Sequence, residues 1–473
     1  MRIIVGSIIG NEKNNYLEEW LENVQQYCDI HVVVEDGTTD GTREILDKHL
    51  EKYPGKFGYQ PCDVSRFKTN EVGLRNDLWE CVRGFAEEGD YIFIVDADEF
   101  YNYTNEETKL QCKGEVIAIR LCDMWNEKEY RIDGYWSPYF HRLFKYKDEP
   151  FSIEGNGLHL SAVPKYVQTS KNIYMSNLRC EHRSYVRDKD KKTKYDFYME
   201  NSQGSFNLNH ARSIFNKKPE LKTFIGIDYP KILITSLIHN REWVLPEFIN
   251  CLKNINYPKD KISYCFVVNN TTDKSLDLLK KHFPEALILE YNFERGVIGE
   301  HKWDNVLIHN MAIMRNATLE IAEKTGVDYM INIDSDILFP PELIKHLVSS
   351  DRKIISPVFF AGWNSNNKLP QVWDRGGYEL SESLLDIVKN HKTLVQVGGL
   401  GAFTCIHKDV WNKGVNYTRV KNLPSDMFGE DRDFCIRAVC AGFDLWASSY
   451  FDLIHVDNQK MLEELKRFKK YTD

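Results

Sequence analysis

At 473 residues the chain is too long for one hydrophobic core and suits two domains of about 200–250 residues. Hydrophobic residues make up 42% and charged residues 28%, a globular composition, and the net charge of −9 argues against a general nucleic-acid or anionic-membrane binder. The 11 cysteines are scattered without a C-x-x-C pair, which disfavours a zinc site or a disulfide framework and leads us to expect a reducing, cytoplasmic setting.

The first apolar run, residues 3–9, is interrupted by Gly6 and Ser7 and followed by Asn11-Glu12-Lys13. It is too short for a signal peptide and reads as a buried strand. Residues 16–27 predict a helix because Leu17, Trp20, Leu21 and Val24 recur at helical spacing. Residues 30–34 predict a strand, 42–49 and 71–86 helices, and 91–95 a strand. The charge run 187–194 and the stretch 215–223 are expected to be a solvated helix and a linker without chemistry. The second half repeats the pattern, with strands at 231–238, 264–268 and 329–333 and helices at 244–252, 274–282 and 304–323. No stretch approaches the roughly 18 apolar residues that span a bilayer. Such alternation implies a mostly parallel, three-layer α/β sheet in each half. Ligands of such sheets bind outside the carboxyl ends of the strands.

Two of those strands end in a D-x-D motif, Asp96-Ala97-Asp98 and Asp334-Ser335-Asp336. Two carboxylates just past a buried strand can offer hard oxygen ligands to one divalent cation, which in turn can hold a diphosphate. The spacing also occurs at Asp188/Asp190 and Asp431/Asp433, in charged surroundings. The flanks distinguish the strand-end pairs, because they repeat. Leu74-Arg75-Asn76 precedes Asp96, and Met314-Arg315-Asn316 precedes Asp334, with Arg-to-Asp distances of 21 and 19 residues. Upstream, Val34-Glu35-Asp36-Gly37-Thr38-Thr39-Asp40 matches Val268-Asn269-Asn270-Thr271-Thr272-Asp273. The openings match too, residues 3–9 then Asn11-Glu12 against 232–238 then Asn240-Arg241-Glu242, so four segments recur in the same order and the chain reads as two copies of one fold. The expected division is a domain over 1–215, a linker over 216–228 and a second domain over 229–473.

Each half resembles a nucleotide-sugar-dependent glycosyltransferase of the GT-A fold. The first resembles family-2 enzymes through residues 34–42, Arg75-Asn76 and Asp96-Ala97-Asp98-Glu99. The second resembles the galactosyltransferase domains that modify collagen. Its matching residues are Asn240-Arg241, Leu245-Pro246, Tyr257-Pro258, Asn269-Asn270-Thr271-Thr272-Asp273, Asp334-Ser335-Asp336, Phe428-Gly429-Glu430-Asp431, Phe434-Cys435-Ile436-Arg437-Ala438 and Gly442.

The resemblance implies a tandem, bifunctional glycosyltransferase using Mn²⁺ or Mg²⁺ and a nucleotide-sugar donor, a UDP-sugar first of all, with a glycan or glycoprotein acceptor. Asp36 and Asn269 would face the nucleobase or ribose, with Asp96 and Asp334 nearer the ribose and Arg75 and Arg315 completing the donor sites. Asp98 and Asp336 would hold the metal, joined by His182 and His455 near the ends of their halves. Inverting transfer needs a carboxylate to take the acceptor's proton. Asp431 is the candidate in the second half, with Glu430 as an acceptor ligand. In the first half the family's usual His-Glu is replaced by His159-Leu160, so Glu154 and His159 are the substitutes.

Gly398-Gly399-Leu400-Gly401 lacks the Lys-Ser/Thr ending of a phosphate-cradling loop and reads as a close-approach loop. Two other readings compete. Dehalogenase-type phosphatases also place D-x-D after a strand, but Glu99-Phe100 and Ile337-Leu338 do not fit their pattern. A glycan-binding scaffold of decayed transferase domains, or a chain with only its second half active, is the remaining alternative.

Overall fold

The apolar runs of each half become neighbouring parallel strands, because successive side chains of a strand point to opposite faces and both faces here are covered by helices. The computed structural model describes residues 1–134, 138–151, 161–201, 205–216, 218–225, 229–293, 304–362, 369–374, 380–421 and 429–469. The chain divides into two units, residues 1–227 and 228–473.

The first unit runs β1 (Ile3–Ile9), α1 (Leu17–Tyr27), β2 (Ile30–Glu35), α2 (Thr42–Lys52), β3 (Phe57–Pro61), α3 (Glu71–Arg83), β4 (Tyr91–Ile94) and β5 (Glu99–Phe100). It continues through α4 (Asn105–Gln111), β6 (Val116–Asp123), β7 (Glu129–Arg131), β8 (Tyr139–Lys145), α5 (Lys165–Gln168), β9 (Ile173–His182), α6 (Asp188–Asn201), α7 (Ser205–Asn216) and β10 (Leu221–Thr223). Its eight-stranded sheet has the order β3-β2-β1-β4-β8-β6-β9-β5. On one face Leu17, Trp20, Leu21 and Val24 of α1 pack with Ile3, Val5 and Phe93. On the other, Leu74, Leu78, Trp79 and Val82 of α3 pack with Ile4, Val34 and Ile92. Burial of such side chains stabilises by about 1.5–3 kcal/mol each.

The second unit runs β11 (Ile232–Ile238), α8 (Leu245–Lys253), β12 (Ile262–Asn269), α9 (Ser275–His282), β13 (Leu287–Tyr291), α10 (Asn305–Thr325), β14 (Tyr329–Ile333), β15 (Ile337–Leu338), α11 (Leu343–Ser349) and β16 (Ile354–Pro357). It ends with β17 (Phe360–Ala361), β18 (Leu369–Pro370), β19 (Val372–Trp373), α12 (Glu382–Asn390), β20 (Leu394–Gln396), β21 (Gly399–Leu400), β22 (Phe403–His407), α13 (Lys408–Asn412), α14 (Glu430–Cys440), β23 (Trp446–Ser448), β24 (Ile454–His455) and α15 (Gln459–Lys469). Its sheet order, β13-β12-β11-β14-β22-β16-β23-β20, follows the first through the four parallel strands and the antiparallel fifth.

The repeat extends to individual hydrogen bonds. Ile3 opposes Tyr91 and Ile232 opposes Tyr329, so the central strands share a register. Asn11 Oδ1 accepts from Thr39 N at 2.8 Å, and Asn240 Oδ1 accepts from Thr272 N at 2.8 Å. Thr42 Oγ1 accepts from Glu12 N, as Ser275 Oγ accepts from Arg241 N, both at 2.9 Å. Short polar side chains at a helix start satisfy backbone donors that no strand can reach. Gly37 (φ +58°) and Asn270 (φ +45°) hold the same left-handed turn. A Cβ at Gly37 would stand 2.3 Å from Ser65 N, whereas asparagine tolerates this region.

One expected boundary differs. Within the expected linker at 216–228, β10 pairs antiparallel with β7, Leu221 opposing Arg131. Phe224 continues this attachment, its N–H donating to Lys128 O at 2.8 Å and its ring meeting Tyr130 edge-on. A short polar strand on an edge carries no apolar periodicity, so the sequence pattern could not announce it. Among the described residues no helix is long and apolar enough to cross a membrane.

Candidate functional site

In both units the D-x-D turn leads into a two-residue strand that pairs with a strand from much later in the sequence. Ile337 of β15 opposes His455 of β24, and Val456 N donates to Asp336 O at 2.8 Å. Glu99 of β5 opposes His182 of β9, and Arg183 N donates to Asp98 O at 2.8 Å. The same short ladder therefore brings each histidine to the second aspartate of its motif. His455 Nε2 lies 3.6 Å from Asp336 Oδ1, and His182 Nε2 lies 3.6 Å from Asp98 Oδ2.

Carboxylates anchor the opposite ring nitrogens. His455 Nδ1 is 2.7 Å from Asp457 Oδ1, and His182 Nδ1 is 2.6 Å from Asp123 Oδ1. Carboxylate–histidine pairs of this kind orient imidazoles toward metals. Asp336 Oδ1 is buried without a hydrogen-bond partner, while Arg241 Nη2 donates to Oδ2 at 3.0 Å. Asp336 and His455, whose Oδ1 and Nε2 are 3.6 Å apart, could together hold a divalent cation. Among the described residues no group of three or more His, Cys, Asp or Glu side chains is arranged to hold a metal by itself.

The first unit's arrangement is more crowded. Ser184 Oγ donates to Asp98 Oδ2 and also lies 2.9 Å from His182 Nε2. Burial opposes charge on both partners, but their mutual attraction wins: Asp98 titrates well below the usual range and His182 is lifted to about 10.

The first aspartates are held by arginines from different elements. Arg315 of α10 donates to Asp334 Oδ1 at 2.7 Å and is itself buried, with Nε and Nη1 lacking partners. In the first unit Arg142 of β8 takes this role, donating to Asp96 Oδ2 at 2.5 Å and Glu99 Oε1 at 2.8 Å. Burial pushes Asp96 upward, but Arg142 overrides it and holds the carboxyl below its ordinary value. Burial dominates for Glu99, which rises to about 7 despite Arg142. Arg75 instead pairs with Glu71 one helical turn away, at 2.7 Å. The arginine that the repeat marks, Arg75, therefore acts on Asp96 by charge and not by a hydrogen bond. Arg142 had a signal of its own, a charge inside the apolar run Tyr139–Lys145, where burial demands a carboxylate partner.

Asp431 and Glu430 open α14, and Arg315 reaches both electrostatically. Burial, offset by Arg315 and reinforced by Asp334, lifts Asp431 to about 6. Burial and the neighbouring Asp431 lift Glu430 to about 8. Asp431 Oδ2 lies against Gly401, where a Cβ would stand 2.3 Å away. Ala402, at φ +60°, links the carboxylates: its N–H points to Asp431 Oδ2 at 3.4 Å and its carbonyl accepts from Asp334 N at 2.8 Å. A non-glycine residue in that region is strained by about 1–3 kcal/mol. The expected close approach at the glycine run occurs within a strand pair. β21 lies on β19, and a Cβ at Gly399 would meet the Trp373 ring at 2.1 Å.

Asp36 organises a loop, accepting from Ser65 Oγ at 2.7 Å, Arg66 N at 2.6 Å and Phe67 N at 3.2 Å. Its counterpart Asn269 is buried with Oδ1 unpartnered. Glu154, His159 and Phe428 lie outside the described residues.

Residues 8–108 match the family model "Glycosyl transferase family 2", and residues 229–394 match "Glycosyltransferase family 25, N-terminal domain". A relative from Aedes aegypti, named as a glycosyltransferase 25 family member, is 27% identical over 152 residues, covering 30% of this chain and 25% of the relative. Procollagen galactosyltransferase 2 of Mus musculus is 22% identical over 169 residues, covering 33% of this chain and 27% of that protein. The chain thus spans about a quarter of the length of these relatives. Among solved structures, S. aureus TarS 1-349 has a TM-score of 0.32 at 16% identity, covering 47% of this chain and 60% of that one. GalNAc-T7 with UDP, GalNAc and Mn²⁺ has a TM-score of 0.35 at 12% identity, covering 48% and 44%.

Proposed function

From a chain that carries a family-2 glycosyltransferase domain followed by a family-25 one, we propose a bifunctional, metal-dependent, inverting glycosyltransferase. It moves sugars from nucleotide-diphosphate donors, UDP-sugars first, to a glycan or protein acceptor. The observation that carries this reading is the doubled pairing of a motif aspartate with a carboxylate-anchored histidine, Asp98 with His182 and Asp336 with His455.

Asp336 with His455, and Asp98 with His182, would hold Mn²⁺ or Mg²⁺. The ion, when bound, supplies charge that stabilises the departing diphosphate. The chain's own residues do the rest. Arg315 fixes Asp334 at the donor side and keeps the floor of the second site cationic. Asp431, lifted to about 6, is ionised at neutral pH yet basic enough to take a proton. The acceptor oxygen bonds to the anomeric carbon as the bond to the diphosphate oxygen breaks. The hydroxyl proton passes to Asp431, and the configuration inverts. In the first unit Arg142 holds Asp96 and Glu99, and Asp36 shapes the loop beside the donor.

The test is to incubate the chain with UDP-, GDP- and CMP-sugars in Mn²⁺ or Mg²⁺ and assay nucleotide release and sugar transfer. Metal-dependent release of a nucleoside diphosphate with transfer supports the reading. Release of inorganic phosphate alone, or no turnover with any donor, would overturn it.

A further inference from the structure

The charged segment 187–194 leads into α6 with Asp188, Lys189, Lys192 and Thr193 exposed, as expected of a solvated helix, while its half-buried side carries contacts to the first unit. Arg187 Nη2 donates to Asn15 Oδ1 at 2.9 Å, and its guanidinium lies 4.5 Å from the Tyr16 ring. This pins the start of α6 to the loop after β1. Lys191 stands 5.1 Å from the Trp125 ring, which stacks on Tyr185, and Tyr185 meets the His182 ring edge-on. Tyr198 packs edge-on against His210, whose Nε2 is 3.0 Å from Tyr185 Oη. Lys194 lies one turn after Lys191 and one turn before Tyr198, on the same face of the helix.

The charges acting most strongly on Lys194 include those of Asp98, Asp96 and Asp123. Burial alone would weaken its proton affinity, but these carboxylates raise it, so it remains an ammonium. Lys194 is half-buried, so its ammonium keeps access to solvent and to a ligand. The second unit differs. There the loop after β11 supplies Arg241, which is already paired with Asp336, whereas the matched position after β1 is the acidic Glu12.

We propose that Lys194 is a diphosphate-binding residue of the first unit, its ammonium contacting the phosphates of a nucleoside diphosphate beside Asp98. This rests on the reading that the first unit takes such a donor. An ammonium is a compact point charge suited to phosphate oxygens. The first unit therefore keeps part of its nucleotide affinity when the divalent cation is removed.

The experiment uses the full chain carrying Asp336→Asn, which disables the second unit's metal site, and measures UDP and GDP binding calorimetrically with Mn²⁺ or with EDTA. Lys194→Gln should weaken binding in EDTA at least tenfold and leave an Mn²⁺-dependent gain in affinity. Lys194→Arg should restore the metal-free component, and unchanged melting temperatures without nucleotide should accompany both variants. Equal affinities in EDTA for Lys194→Gln and its parent would overturn the role of the lysine. So would equal losses in the Gln and Arg variants, or binding by the parent that needs Mn²⁺ entirely. These results leave the first unit as a nucleotide site, whereas no binding of either nucleotide under any condition overturns that reading as well.

Discussion

His455 presents Nε2 to Asp336 Oδ1 at 3.6 Å, with its other nitrogen fixed by Asp457 at 2.7 Å. Asp98, His182 and Asp123 reproduce this relationship in the first half, although the anchoring carboxylate comes from β6 and not from two residues downstream. The imidazole–aspartate geometry is common to both units, and the residue that enforces it is not. Replacing the anchor therefore probes the histidine without touching a ligand.

Asp457→Asn should weaken Mn²⁺ binding in the second unit about 10–100-fold, the usual effect of losing an outer-shell partner. Asp336→Ala should remove the Mn²⁺-dependent part of the thermal shift produced there by UDP. Melting curves over an Mn²⁺ series check both. An unchanged midpoint concentration in Asp457→Asn would detach the histidine from the metal.

Asp431→Asn keeps the shape and loses the basicity. Transfer by the second unit should fall by about 10²-fold or more, the contribution of a positioned general base. Donor binding should survive, because Asp336 and His455 are unaltered. Kinetics with a fixed acceptor, together with the anomeric configuration of the product by NMR, provide the check; near-normal turnover or a retained configuration would remove Asp431 from this role.

The pH dependence has a definite sign. Asp431 must be ionised to act, so transfer should fall about tenfold per unit as pH drops below about 6. For stability the direction is opposite. The folded value of about 6 exceeds an unfolded value of about 3.9, so the native state binds the proton more tightly. Its stabilising contribution is complete below about 4 and lost as pH rises through 6. Asp431→Asn should accordingly raise the melting temperature at pH 7.5 and give little gain at pH 4, as calorimetric scans at the two values would reveal.

Gly401→Ala places a Cβ 2.3 Å from the present position of Asp431 Oδ2, so the carboxylate must move. Transfer should drop toward the level of Asp431→Asn, while the Mn²⁺-dependent thermal shift with UDP persists. Loss of both together would mean that the glycine supports the whole unit.

The attachment of β10 to β7 locates the boundary between the halves. A fragment of residues 1–225 should unfold cooperatively, and one ending at 216 should melt lower, since it loses the β10 ladder and the Phe224–Tyr130 contact. Equal melting temperatures for the two fragments would show that β10 contributes nothing.

The parallel core was legible because period-two strands and helical stripes are local patterns, and their repetition exposed the duplication. The expected strand at 329–333 coincides with β14, and the expected helix at 304–323 covers nearly all of α10. The aspartates stood out for the same reason, since a charge that ends a buried strand is visible in the strand itself. The sequence by itself determined two α/β repeats, each with an acidic strand end. Tertiary structure alone decided which distant side chains meet those ends. Arg142 of β8 is the ion-pair partner of Asp96, while Arg75 pairs with Glu71 on its own helix, and α6 sets Lys191 against the Trp125 ring. Both depend on antiparallel strand pairing and on helix docking across long separations in the chain. A residue's charge is local, but the partner that neutralises it is selected by how the whole chain packs.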